Sequence, residues 1–267
     1  MVEYIYKGKQ YEHAPRVTTK IKFEPSIKKI GLKAFDRCIA IESIDIPSSV
    51  ESIEFRAFAG CSSLKRITIP PSVHAIQKAS FSGCISLKRI IIPPSVKLIG
   101  YGAFVGCNSL AEINIPPSIN TIEHNAFAGC VSLKNVKLPS TLQSIEFGAF
   151  DRCASLTSVE LPPSVHTIGT RAFAGCTSLC EVYVSKSFQI DESCFKHGFS
   201  DTVKVIRSNW CELGSLILLR ELILNERAHA HKMNNIYDDA CMKTIQTFFI
   251  TANDDIFRNV LKFLAVI

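Results

Sequence analysis

The sequence has no apolar run long enough to span a bilayer, and it contains only one Trp and three Met in 267 residues. The densest apolar run, residues 213–224, includes Arg220 and Glu221 and is shorter than the roughly 20 residues that a membrane helix needs. The first ten residues lack the apolar core of a signal peptide, and no Asn-x-Ser/Thr sequon occurs. These absences favour a cytoplasmic protein; a non-standard export route to the cell surface is also compatible with them.

The known catalytic and nucleotide-binding motifs are also missing. The sequence has no P-loop, G-x-G-x-x-G, H-E-x-x-H or G-x-S-x-G motif. His74 and His166 occupy equivalent outward positions, and the pair His229 and His231 has no suitably spaced further ligand. The net charge of +6 is well below that of a dedicated nucleic-acid binder. We therefore expect no enzyme, no cofactor, no metal site and no nucleic-acid partner.

What the sequence does contain is one unit repeated every 23 residues, which is typical of a solenoid. Each unit carries Phe three residues before a Cys, and Leu or Ile three residues after it. A Pro follows in six of the seven units, ahead of two further aliphatic positions. The cysteines are Cys38, Cys61, Cys84, Cys107, Cys130, Cys153 and Cys176, and the phenylalanines are Phe35, Phe58, Phe81, Phe104, Phe127, Phe150 and Phe173.

The spacing within one unit predicts its local structure. The pattern L-x-x-I-x-I has period two, which predicts a short strand with one buried face. The following Pro lacks an N–H and ends that strand. The segment A-F-x-x-C is about one turn long and predicts a short helical or 3₁₀ turn. One unit cannot bury its apolar positions alone, so we expect the units to stack as a parallel ladder.

The unit L-x-x-I-x-I-P-x-S-V-x-x-I-x-x-x-A-F-x-x-C resembles the BspA-type, or Treponema-type, leucine-rich repeat. The resemblance covers roughly residues 21–184. It implies an α/β repeat solenoid, a horseshoe with a parallel β-ladder on its concave face and short 3₁₀ or helical turns on the other side. Members of the family include surface antigens of bacteria and protists, which implies a cell-surface adhesin as an alternative function. The last unit departs from the pattern, with Ser185 in place of Pro and Asp191 in place of Ile.

The repeated cysteine raises the question of a metal site or a redox ladder. Stacked identical side chains point the same way, which disfavours the roughly 90° dihedral of a disulfide. Free Cys also serves as a small residue that is readily buried. We expect reduced, buried thiols that fill a tight inner corner of each repeat.

The ends of a solenoid need caps. We predict a β-hairpin cap over residues 1–20, the repeats over 21–195, and a helical C-terminal cap or small partner-binding module over 196–267. The helical expectation comes from apolar residues at helical spacing near Trp210–Leu222, Cys241–Phe248 and Ile256–Leu264.

The candidate site consists of strand residues that alternate with the inward ones and so face the concave surface. Lys65, Arg66, Lys88 and Arg89 cluster on neighbouring repeats beside Ile91. Acidic residues lie at both ends, and none is expected within the cluster. The pattern is compatible with an ordinary charged surface. The sharper hypothesis is a scaffold that binds a protein partner through an acidic segment. Its predicted contact residues are Lys65, Arg66, Lys88, Arg89, Ile91, Lys134, Lys137 and Tyr183.

Overall fold

The structure, a computed structural model, describes residues 2–195 and 204–208. The chain divides into the unit Met1–Arg207 and the unit Ser208–Ile267, and the description below concerns the first. The predicted helices beyond residue 208 lie outside the described residues.

The described unit is built from short strands that recur with the 23-residue period. Each repeat contributes one strand of three or more residues and one strand of two residues. In chain order the strands are β1 (Glu3–Tyr6), β2 (Lys20–Phe23), β3 (Lys29–Ile30), β4 (Ser43–Asp45), β5 (Ser52–Ile53), β6 (Arg66–Thr68), β7 (Ala75–Ile76), β8 (Arg89–Ile91), β9 (Leu98–Ile99), β10 (Glu112–Asn114), β11 (Thr121–Ile122), β12 (Asn135–Lys137), β13 (Ser144–Ile145), β14 (Ser158–Glu160), β15 (Thr167–Ile168), β16 (Glu181–Ser185) and β17 (Lys204–Ser208).

The strands pair in parallel with their counterparts in the next repeat. In the pair β6–β8, for example, Arg66 lies opposite Arg89 and Thr68 lies opposite Ile91. The shorter strands form a second ladder, in which Ile53 lies opposite Ile76. The described unit is therefore a parallel β-solenoid of about seven turns, as the sequence pattern predicts.

The core is formed by identical side chains stacked along the solenoid. The seven repeat phenylalanines are at most 1% exposed. Their rings stack with centroids 5.3–5.5 Å apart and planes tilted by 2–10°. This spacing follows from the strands, which lie about 4.8 Å apart in the hydrogen-bonding direction.

The segments A-F-x-x-C form turns, and the predicted helical or 3₁₀ conformation is not confirmed. Local and inter-repeat hydrogen bonds alternate along each segment. The N–H of Ala57 bonds locally to Glu54 at 3.1 Å, whereas the N–H of Phe58 reaches Ser80 in the next repeat at 2.8 Å. Because every second donor leaves its own repeat, no helix can continue. In the described part of the chain, the one 3₁₀ helix is Glu192–Phe195.

The N-terminal strands also differ from the prediction. β1 and β2 pair in parallel, with Glu3 opposite Lys20, so they do not form the expected hairpin. The chain instead completes a coil between them, which brings Tyr6 to the end of the phenylalanine column. The Tyr6 ring lies 5.1 Å from that of Phe35, and its hydroxyl oxygen accepts the N–H of Gly31 at 2.8 Å. A parallel first strand thus supplies an aromatic lid for the first repeat.

At the other end, the ladder continues beyond the last full repeat. β16 has five residues instead of three, because Ser185 replaces the proline that ends the equivalent strands. The strand β17 follows in the same sheet, and the N–H of Lys204 bonds to Cys180 at 2.8 Å. Residues 204–208 of the segment expected to be a helical cap are therefore a strand.

Candidate partner-binding face

The ladder face is the outward side of the seven strands β4, β6, β8, β10, β12, β14 and β16. In each of the three-residue strands the middle residue points into the core, so that Ile67 and Ile90 are only 6% exposed, and in β16 Val182 and Val184 do so. The residues on either side point outward. Their two columns are Ser43, Arg66, Arg89, Glu112, Asn135, Ser158 and Glu181, and Asp45, Thr68, Ile91, Asn114, Lys137, Glu160 and Tyr183.

Four basic residues of this face lie together on two neighbouring repeats. Arg66 and Arg89 are direct partners in the register of β6 and β8. Lys65 and Lys88 precede them, and all four are exposed. Ile91 lies at the end of β8 and is 83% exposed. The basic cluster predicted from the sequence is therefore present, and we use this name below for Lys65, Arg66, Lys88 and Arg89.

The acidic residues expected at the two ends of this cluster contact it from both sides. Lys65 Nζ lies 3.0 Å from a carboxylate oxygen of Glu42, and Arg89 pairs with Glu112. Both pairs are exposed, and such pairs typically contribute less than about 1 kcal/mol. Among the described residues, neither Arg66 nor Lys88 has a carboxylate within 4.0 Å. The centre of the basic cluster thus keeps its charge, and its edges are paired weakly.

The other predicted contact residues lie further along the same face. Lys137 lies on β12 and Lys134 directly precedes that strand, and both are exposed. β12 is two repeats beyond β8, and the intervening strand β10 carries Glu112. Tyr183 lies on β16 and is half-buried, with its hydroxyl donating to Glu181 at 2.7 Å. The structure therefore brings Lys65 through Ile91 into one group and leaves Lys134, Lys137 and Tyr183 as separate positions.

The cysteine column is a second place where chemistry could occur. The seven repeat cysteines are buried and free. Each thiol donates to a backbone carbonyl of the preceding repeat, as when Cys84 Sγ bonds to the oxygen of Phe58 at 3.2 Å. Burial raises the pKa of Cys84 to about 12. Since the thiolate is the nucleophile and the metal ligand, the raised pKa disfavours both roles for Cys84 at neutral pH.

The Phe58 contact also explains why the repeated residue is cysteine. The same carbonyl already accepts the N–H of Cys61 in its own repeat, at 3.2 Å. The position requires a small side chain whose tip can reach one repeat back. A thiol meets both requirements and adds a weak S–H donor.

An exposed aromatic row lies outside the ladder face, and the sequence reasoning did not single it out. Lys78 Nζ lies 4.7 Å from the centroid of the Tyr101 ring, and the ring of His124 stacks on Tyr101 at 6.3 Å. Asn125 donates to the Tyr101 hydroxyl at 3.2 Å. Tyr101 is therefore contacted from both neighbouring repeats. The signal that could have found the row is its 23-residue spacing, which continues to the exposed Phe147.

The described residues contain no group of three or more His, Cys, Asp or Glu side chains placed to hold a metal ion. Nor does this part of the chain include a helix with the length and apolar character needed to cross a bilayer.

Comparison with known proteins places the chain in a family. The model of the BspA type leucine rich repeat region matches residues 11–134 and 97–215, with six copies. The leucine rich repeat protein of T. pallidum is 31% identical, with a TM-score of 0.57 over 67% of this chain and 78% of that one. A leucine-rich repeat protein from Bacteroides ovatus is 28% identical, with a TM-score of 0.55 over 78% of this chain and 60% of that one. No curated protein matched. The chain belongs to the BspA-type leucine-rich repeat family.

Proposed function

We propose that this chain is a non-enzymatic interaction scaffold whose ladder face, the concave side of a leucine-rich repeat horseshoe, binds a protein partner. The partner would present an acidic segment to the basic cluster. The observation that carries this proposal is the adjacency of Arg66 and Arg89 in the parallel register. Like charges held on strands about 4.8 Å apart repel each other, and an acidic ligand relieves that repulsion.

The neighbourhood of the cluster suits a peptide better than a small anion. Ile91 is 83% exposed beside the cationic side chains and offers an apolar contact that a phosphate or sulfate would not use. The paired residues Lys65 and Arg89 can exchange Glu42 and Glu112 for carboxylates of the partner. Each exchange replaces one exposed ion pair with another and therefore costs little.

The remaining predicted contacts extend the surface along the solenoid. From β6 to β16 the ladder spans five steps of about 4.8 Å, or roughly 24 Å, which about seven residues of extended peptide would cover. Lys134 and Lys137 would hold a second acidic stretch, and Tyr183 would contact the end of the segment. Steering by this face would make association depend on salt.

We also propose that the scaffold acts in the cytoplasm. The seven buried free thiols support this, because disulfides are rare there. Fractionation of native cells tests the compartment. Recovery of the protein at the cell surface would favour the adhesin alternative instead.

The test of the binding site is a fourfold charge reversal of the basic cluster to Glu, followed by affinity capture from native lysate. We expect unchanged circular dichroism and loss of most captured proteins. A matched control reverses four exposed lysines away from the cluster, namely Lys29, Lys33, Lys97 and Lys186, and so makes the same change in net charge. If both variants capture the same proteins as the wild type, the site lies elsewhere on the molecule.

A further inference from the structure

The first strand of the solenoid has an open edge. β1 pairs with β2 on one side, and within the described residues no strand pairs with its other side. Two hydrogen bonds between β1 and β2 show which peptide groups of β1 point toward β2. The N–H of Lys20 bonds to the oxygen of Val2 at 3.1 Å, and that of Glu24 bonds to the oxygen of Tyr6 at 3.0 Å. Because peptide groups alternate sides along a strand, those of Glu3 and Ile5 point to the open edge.

The side chains along this edge alternate as well. Tyr4 and Tyr6 point toward the core, whereas Glu3 and Ile5 point outward and are exposed. Lys7 follows the strand directly and is also exposed, and its N–H bonds to the Glu12 carboxylate. Ile5 is 52% exposed. The outward residues therefore place an apolar side chain midway between a carboxylate and an ammonium group.

We propose that a second copy of this chain pairs with β1 along its open edge, antiparallel and about a two-fold axis at Ile5. Residues of the two copies then face each other when their numbers sum to ten. Ile5 lies opposite its own equivalent, and Glu3 lies opposite Lys7 of the second copy. The two-fold repeats this ion pair, so the interface is self-complementary in both shape and charge.

The charges select this register over its neighbours. The outward peptide groups of Ile5 allow two reciprocal hydrogen bonds across the axis, as in a hydrogen-bonded antiparallel pair. An axis at Tyr4 would place Ile5 opposite Glu3, and an axis at Tyr6 would place Ile5 opposite Lys7. Opposite charges that face each other across strands stabilise the pairing, and like charges destabilise it.

The same features argue for a copy of this chain rather than an unrelated strand. Edge strands usually avoid pairing by carrying charges that repel another copy. Here the two charges have opposite signs and are equidistant from Ile5, so a copy of the same strand is attracted rather than repelled. Within the chain, the Glu3 carboxylate contacts Lys22 and Lys20 of β2 at 3.1 and 3.9 Å. Both pairs are exposed and therefore weak, so Lys7 of the second copy can share this carboxylate.

A charge-swap experiment on the full chain tests the proposal by analytical ultracentrifugation over a range of concentrations. We expect wild type to dimerise. Glu3→Lys and Lys7→Glu should each raise the dimer dissociation constant on the order of tenfold, because both cross-strand pairs become repulsive. An equimolar mixture of the two variants should form a heterodimer, since both cross-strand pairs then join a lysine of one variant to a glutamate of the other. The double variant should dimerise like wild type.

A backbone variant keeps the test independent of charge. Ile5→Pro removes the N–H that points to the open edge. An edge strand tolerates proline at such a position, so the variant should lose the dimer while its circular dichroism stays unchanged. Monomeric wild type at its highest soluble concentration would overturn the proposal. So would a dimer that neither single charge reversal weakens, or one that Ile5→Pro leaves intact.

Discussion

The phenylalanine column and the ladder face repeat with the same period but obey different rules. Every repeat from Phe35 to Phe173 keeps the same ring in the same orientation. On the outside, the equivalent columns change at almost every repeat, as in Ser43, Arg66 and Glu112. The inner positions repeat because each side chain packs against copies of itself. The outer positions face solvent and make only exposed or half-buried contacts, so their residues can differ from one repeat to the next.

The largest effect should come from breaking the inner column in its middle. Phe104 stacks on Phe81 and Phe127 and is fully buried. Phe104→Ala should lower the free energy of unfolding by about 3–5 kcal/mol, since a large cavity remains between two rings. Denaturant unfolding measures this effect. Ile91→Ser, in the preceding repeat but on the ladder face, is the matched control and should change stability by about 0.5 kcal/mol or less. Equal costs for the two variants would contradict the comparison.

The thiol column should make the inside sensitive to alkali. Burial raises the pKa of Cys107 well above its ordinary value of 9.0, and the neighbouring thiols of Cys130 and Cys84 add to the shift. The folded state therefore keeps the neutral thiol, whereas the unfolded chain loses the proton from about pH 9. The stability from this group is complete below that pH and falls as the pH rises toward the folded pKa.

Comparing wild type with Cys107→Ala isolates this contribution. Between the two pKa values the slope of stability against pH should differ by about 1.4 kcal/mol per pH unit, the linkage for one proton. Urea unfolding under reducing conditions from about pH 8 to about pH 11 measures it. Parallel curves for the two proteins would show that Cys107 ionises in the folded state as readily as in the unfolded chain.

The sequence predicted the inside of the molecule better than its ends and its surface. The 23-residue period of Phe and Cys was enough to predict the strands and the core, because every stacked repeat makes the same contacts with its neighbours. The hairpin prediction was wrong because the turn-forming residues after Tyr6 suggested a short reversal of the chain. The chain instead completes a full coil, which places Tyr6 against Phe35. Glu42 and Lys65 are 23 residues apart, so the repeat spacing places them on neighbouring repeats, where they form an ion pair. Its geometry depends on the rotamers of exposed side chains, which no period determines.

Substitutions of Tyr6 at the N-terminal end should have an intermediate effect on stability. The Tyr6 hydroxyl accepts the N–H of Gly31 at 2.8 Å while its ring closes the phenylalanine column. Tyr6→Phe should keep the ring contacts and lose the hydrogen bond, lowering the free energy of unfolding by about 1 kcal/mol. Tyr6→Ala should cost several times more, since the column loses its lid. If Tyr6→Ala were no worse than Tyr6→Phe, the first coil would not act as a cap.

The smallest effect on stability should come from the outer ion pairs. Glu42→Gln and Glu112→Gln each remove the carboxylate that contacts Lys65 or Arg89. Both pairs are exposed, so thermal unfolding should show a change of about 0.5 kcal/mol or less for each variant. Binding should respond in the opposite direction, because the two cations no longer have an intramolecular competitor for an acidic partner. The double variant should therefore capture more of the wild-type partner set from lysate, and the gain should shrink in high salt as screening increases. A double variant that captured less would indicate that Glu42 and Glu112 contact the partner directly and that its complementary segment is basic.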